Sequence, residues 1–180
     1  MKNVLVLFAE GSEELEAITI VNILRRAGIS VTLAGLDADA LRGSRGVVLM
    51  PDSTLDAVLH EDFDMIVLPG GQPGTNHLKS DARVLKLVQS MAQQDKYVAA
   101  ICAAPSVLAT AGLLDGKQAT SFPGALTQFP KVKQQHAAIV EDGRIITSRG
   151  PGTAMDFALT LVERLAGAAK RQEVETGLQR

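Results

Sequence analysis

Residues 4–34 read VLVLFAEGSEELEAITIVNILRRAGISVTLA, and this stretch decides the fold. Val4-Leu-Val-Leu-Phe8 is an unbroken apolar run, the composition of a strand covered on both faces. Ser12 then offers an N-cap. Glu13 and Glu14 suit the positive end of a helix, Arg25 and Arg26 its negative end, and Gly28 the residue just past it. A helix over about residues 13–27 follows, and Ile29 to Ala34 supplies the next strand. Strand, helix and strand in so short a span make the unit of a parallel sheet.

The alternation continues outward. Gly46 to Met50 is a short extended segment before Pro51. Met65-Ile-Val-Leu68 is another buried strand, ending in the turn Pro69-Gly70-Gly71-Gln72-Pro73-Gly74. Ser80 and Asp81 can open a helix in which Val84, Leu87, Val88 and Met91 keep helical spacing. Tyr97-Val-Ala-Ala-Ile101 is a strand that runs through Cys102 into a helix-forming stretch beginning near Pro105. His136 to Val140 and Arg144 to Thr147 flank Asp142-Gly143, a hairpin signal. Thr153 with Asp156 reads as a capping box, ahead of a helix with Met155, Ala158, Leu159 and Val162 on one face. The polar tail after Gly167 is expected to fray. No repeat, linker or low-complexity tract interrupts the pattern, so residues 1–180 are expected to form one α/β domain, a mainly parallel sheet flanked by helices.

Composition removes several classes of function. A net charge of −2, 3% aromatic residues and no Trp give neither a basic footprint nor stacking platforms, so no specific nucleic-acid site is expected. The run Val4 to Ala9 is too short, and too closely followed by Glu10, Glu13, Glu14 and Glu16, for a signal peptide. Tyr97 to Leu114, the longest uncharged stretch, contains Pro105 and Gly112 and is rich in alanine, which argues against a membrane span. One cysteine cannot form an intramolecular disulfide, and the chain reads as cytoplasmic.

Ligands of open parallel sheets bind beyond the carboxyl ends of the strands, where three segments compete for attention: residues 10–16, 70–74 and 102–106. On residue type alone, Cys102 beside alanines is a small buried hydrophobe. On position it sits at a strand-to-helix turn whose unpaired N–H groups favour thiolate. Gly70 and Gly71 permit close backbone approach and N–H donation to an oxyanion, although an ordinary tight turn needs glycine too. The spacing is neither a P-loop nor a dinucleotide fingerprint, so no nucleotide cofactor is expected. Glu16 shares a side of its helix with Ala17 and Ile20, which points it into the crevice; protonated, it would donate to the sulfur while its own pKa rises. His60, His77 and His136 occur in polar, loop-like sequence and read as surface residues, and no metal-ligand spacing is present.

Six segments in order resemble the Parkinsonism-associated DJ-1 family of the ThiJ/PfpI superfamily, whose domain is related to class I glutamine amidotransferases. They are Gly11-Ser-Glu-Glu-Leu-Glu16, Arg25-Arg-Ala-Gly-Ile29, Ser44-Arg45, Val67-Leu-Pro-Gly-Gly71, Ala99-Ala-Ile-Cys-Ala-Ala-Pro105 and Thr147-Ser-Arg-Gly-Pro-Gly-Thr153. The resemblance implies a flavodoxin-like three-layer sandwich and a homodimer built on the first helix and the short hairpin. It matches Cys102 to the family's nucleophilic, oxidation-sensitive cysteine and Glu16 to the carboxyl that contacts it. Gly70 and Gly71 match the pocket backbone, with Ala103 a further oxyanion donor, and Arg45, Ser148 and Arg149 match residues near the pocket or the dimer interface. Two departures stand out. Phe122, in Thr120-Ser-Phe-Pro123, replaces a His that many members carry, and Ala103 replaces the His that follows the cysteine in protease-like members. The implied activity is that of a cofactor-free glyoxalase III or deglycase acting on methylglyoxal, glyoxal or their early adducts on proteins and nucleotides. The alternative is a redox sensor or redox-controlled chaperone that uses the same thiol.

Overall fold

The computed structural model describes residues 2–37 and 39–180. The elements run β1 (Asn3–Phe8), α1 (Glu14–Arg26), β2 (Ser30–Gly35), a small hairpin of β3 (Leu41–Arg42) and β4 (Val48–Leu49), β5 (Ser53–Thr54), α2 (Leu55–Val58) and β6 (Met65–Leu68). They continue with α3 (Gly74–Ser80), α4 (Ala82–Gln93), β7 (Tyr97–Ile101), α5 (Pro105–Thr110), β8 (Gln118–Ala119), β9 (Lys133–Gln134), β10 (Ile139–Asp142) and β11 (Ile145–Ser148). A 3-10 turn at Pro151–Thr153, α6 (Ala154–Ala166) and α7 (Ala168–Gly177) complete the chain.

Seven strands form one sheet in the order β10-β11-β7-β6-β1-β2-β5. All its pairings are parallel except that of β10 with β11. Alternation of side chains along β1 divides the core. Val4, Val6 and Phe8 face α1 and α6 and meet Ala17, Ile20, Leu24, Phe157 and Leu161; Leu5 and Leu7 face the α4 and α5 side with Val84, Val88, Val107 and Leu108. This is the expected three-layer sandwich. Burial of each large aliphatic or aromatic side chain contributes about 1.5–3 kcal/mol, which fixes strand register because a slip by one residue exchanges the two faces.

β1 lies between β2 and β6, so the chain leaves it in opposite directions on its two sides. That topological switch opens a crevice above the carboxyl ends of β1 and β6, with β7 next in line.

Several local expectations change. Glu13, not Ser12, caps α1: its Oε2 accepts from Glu16 N at 2.8 Å, while Ser12 Oγ accepts from Ala9 N at 3.1 Å. The segment after the glycine turn folds as α3, which its polar sequence did not announce. Asp142 still pairs with Ile145, so the hairpin turn falls on Gly143-Arg144. Thr153 Oγ1 bonds with Ser148 Oγ at 2.7 Å instead of capping α6, and Asp156 pairs with Arg180 at 2.8 Å. The tail does not fray. It forms α7, which buries Val174 and pairs Arg171 with Glu163 on α6 at 2.8 Å. Among the described residues, no helix is long and apolar enough to cross a membrane.

Candidate active site

Cys102 follows β7 directly and has φ of +64°, a left-handed conformation that a residue bearing a Cβ adopts only when its surroundings impose it. Two backbone bonds impose it here: Cys102 N donates to Ser148 O at 2.9 Å, and Phe122 N donates to Cys102 O at 2.7 Å. The sharp turn lifts the side chain out of the strand line to the floor of a cavity of about 650 Å³. Glu13, Leu15, Arg45, Gln72, Ala103 and Phe122 are among the residues around it. The residue is only 8% exposed, the burial that its residue type suggests.

Glu16 arrives from the first turn of α1 and is fully buried. Its Oε2 accepts from Gly70 N at 2.7 Å, and its carboxyl lies against the Cys102 thiol. Oε1 has no hydrogen-bond partner among the described residues, which leaves it as the atom able to carry or receive a proton. Gly70 is required for this approach, because a Cβ there would come within 2.6 Å of Cys102 Cβ. Gly71, at φ +85°, is held against the Ser12-Glu13 backbone with equally little room.

The electrostatics belong to the pair. Burial raises the Glu16 pKa to about 7, helped by the nearby Glu13 charge and opposed by Gly70 N–H and the thiol. Burial and the Glu16 charge push the Cys102 thiol up to about 12, while the N–H groups of Gly71 and Ala103 act on the sulfur in the opposite sense. The pair therefore sheds one proton near neutrality and retains the other. This revises the expectation of a free thiolate made by a helix terminus. The following helix, α5, is only six residues long and begins with Pro105, which has no N–H. Burial and the Glu16 charge together hold the sulfur in its protonated form. Backbone roles also shift: Gly70 N–H serves the carboxyl, and those of Gly71 and Ala103 serve the sulfur.

The remaining sequence candidates separate. Arg45 lines the cavity. Ser148 is buried away from it and acts through its carbonyl on Cys102 N, its hydroxyl being taken by Ala138 O and Thr153 Oγ1. Arg149 lies across Phe122 in a neighbouring cavity. His60, His77 and His136 are exposed, and none lines the cavity of Cys102. Sequence reasoning missed Glu14, whose carboxylate accepts from Arg45 N at 2.9 Å, Val47 N at 3.2 Å and Ser44 Oγ at 3.4 Å. Burial opposes its ionisation, but these donors outweigh burial and hold the carboxyl below its usual range. Glu14 thereby staples the turn between β3 and β4, which carries Arg45, to α1. Nothing local in the sequence links residues thirty positions apart.

Comparison with known proteins gives the family of the chain. A family model described as the DJ-1/PfpI family matches residues 2–164. Protein dj-1beta of Drosophila melanogaster is 46% identical over 180 residues, covering 98% of this chain and 96% of that protein. Its crystal structure superimposes with a TM-score of 0.96 at 45% identity, over 99% of this chain and 97% of that one. A Caenorhabditis elegans protein named glutathione-independent glyoxalase DJR-1.2 is 33% identical over 163 residues, covering 89% of this chain and 87% of that protein.

Proposed function

Because the chain belongs to the DJ-1/PfpI family, we propose that it is a cofactor-free glyoxalase of the glyoxalase III or deglycase type. Its substrates would be methylglyoxal or glyoxal, free or as early adducts on amines and thiols. The observation that carries this reading is the buried Glu16 carboxyl lying against the only thiol of the chain, beneath a cavity large enough for a small organic substrate. The similarity to a protein named a glyoxalase supports it.

The chemistry follows from one shared proton. Sulfur attacks the aldehyde carbon of methylglyoxal as its proton passes to Glu16 Oε1, giving a hemithioacetal. Glu16, after returning that proton to the new oxygen, takes the hydrogen of the former aldehyde carbon and delivers a proton to the adjacent carbon through an enediol. A lactoyl thioester results, and water hydrolyses it to lactate and the free thiol. The net reaction adds one water to methylglyoxal, with no external oxidant or reductant. With Gly70 N–H engaged by Glu16, the Gly71 and Ala103 N–H groups remain the donors for oxygen charge once sulfur is bonded to carbon.

Proton NMR of methylglyoxal with the purified protein in D₂O tests this directly. Lactate should accumulate without added thiol, carrying deuterium at C2 because the carboxyl exchanges with solvent. Absence of lactate sinks the proposal, and lactate fully protonated at C2 removes the enediol route.

A homodimer is the proposed assembly. Leu15 and Ile18 on α1 and Val47, Val48 and Met50 at the hairpin are large apolar side chains left exposed. Glu14 joins these two parts. Glu14→Ala should therefore cost about 2 kcal/mol, lowering Tm by about 4–8 °C, and weaken the dimer in sedimentation velocity. A variant that melts and sediments like wild type would show that the staple is dispensable.

A further inference from the structure

We propose that the cavity on the far side of Phe122 is an anion subsite, taking the carboxylate or phosphate of a substrate whose reactive carbonyl sits at Cys102. This rests on the glyoxalase reading and narrows its substrate class to aldehydes that carry an acidic tail.

The second cavity has a volume of about 230 Å³ and is lined by Thr120, Phe122, Gln134, His136 and Arg149, among others. It is smaller than a site for a whole metabolite and suits a single acidic group. Phe122 is common to both cavities, so they share a wall. Both are tied to the nucleophile through backbone: Phe122 N donates to Cys102 O, and Arg149 follows the residue whose carbonyl accepts from Cys102 N.

Ion pairing divides the ten arginines, and four of them, Arg26, Arg42, Arg45 and Arg149, have no carboxylate partner among the described residues. Arg25, Arg83, Arg144, Arg164, Arg171 and Arg180 all pair with carboxylates. Arg149 donates from Nη1 to His136 O at 3.0 Å and has no carboxylate partner among the described residues. A guanidinium has five N–H donors in a planar fork, so most of its capacity for a carboxylate or phosphate is unspent. Among the described residues, no Asp or Glu lines the cavity. Arg45, also without a carboxylate partner for its guanidinium among the described residues, lines the adjoining cavity, so positive charge flanks Phe122 on both sides.

Two measurements test the subsite separately from turnover and together with it. Inorganic phosphate and succinate are titrated while the Arg149 side-chain Nε–H resonance is followed by NMR, with affinity measured calorimetrically in wild type and Arg149→Gln. Saturable binding, weakened about tenfold or more in the variant, is expected; which anion binds tighter distinguishes phosphate from carboxylate recognition. Arg149→Lys keeps the charge without the fork and should fall between the two, which covers misfolding of the Gln variant. For turnover, 4,5-dioxopentanoate is compared with 2-oxopentanal, the same reacting head with and without a carboxylate. Wild type should favour the acid by about tenfold in kcat/KM, about 1.4 kcal/mol, and Arg149→Gln should bring the ratio near one. Absence of anion binding, equal affinity in the variants, or no preference for the acid in a protein that consumes 2-oxopentanal overturns the subsite. Failure to consume either aldehyde counts against the glyoxalase reading instead, and the anion titration then decides the subsite alone.

Discussion

Cys102→Ala should bring lactate formation from methylglyoxal down to the rate measured without protein. No second thiol exists to take over, and the hydroxyl of Ser44, which also lines the cavity, is bonded to Glu14 and not to Glu16. Alanine inherits the same strained φ and the same two backbone bonds, so the turn should persist, with a loss of stability near 1 kcal/mol from the missing sulfur. Cys102→Ser is the sharper test. A hydroxyl would stand near the same backbone donors but yields its proton far less readily than a thiol, so activity should fall by at least about a thousandfold. Lactate formed by the alanine variant at a tenth or more of the wild-type rate, in the NMR assay described above, would remove Cys102 from the mechanism.

Glu16→Gln should lower kcat by about 10²–10⁴, the range for loss of a positioned acid–base group. Gln can still accept from Gly70 N–H, so the local geometry is retained while the proton carrier is lost. In wild type, kcat/KM should rise with pH through about 7, where the pair sheds its first proton, and that limb should disappear in the variant. Stability supplies an independent readout. A carboxyl whose folded pKa is raised from 4.5 to about 7 favours the native state fully below pH 4.5 and loses that contribution as pH rises through 7. Wild type should therefore lose up to about 3 kcal/mol from this group between those limits, and Glu16→Gln should lack that component in denaturant titrations. Glu14 acts in the opposite direction: its depressed pKa contributes stability above its ordinary value of 4.5 and loses it as pH falls further. The two acids thus occupy separate pH windows. An unchanged stability slope between pH 5 and 8 in Glu16→Gln would mean that Glu16 is already ionised in the folded protein.

The parts of the site that were legible in sequence are those where one residue's neighbours along the chain decide its place. Cys102 ends an apolar strand, Glu16 lies on the inward side of α1, and Gly70 and Gly71 end another strand, so each was placed at the carboxyl edge before any contact was known. What these groups do to one another was less legible. The sequence suggested a thiolate made by a helix terminus, whereas burial and the carboxyl control the thiol. Gly70 was read as an oxyanion donor, but its N–H is taken by the Glu16 carboxyl. The Glu14 staple and the ion pairs of α7 were invisible because their partners are distant in sequence.

Sequence by itself determined the layered α/β architecture, since the alternation of continuous apolar runs with amphipathic segments is imposed locally by the repeats of strand and helix. It also singled out one thiol, Cys102, as the candidate nucleophile. Only the tertiary structure decided that this thiol lies against a buried carboxyl and that Phe122 divides two cavities, with Arg149 beyond it. Desolvation and side-chain proximity depend on which strands become neighbours, and no spacing along the chain fixes that.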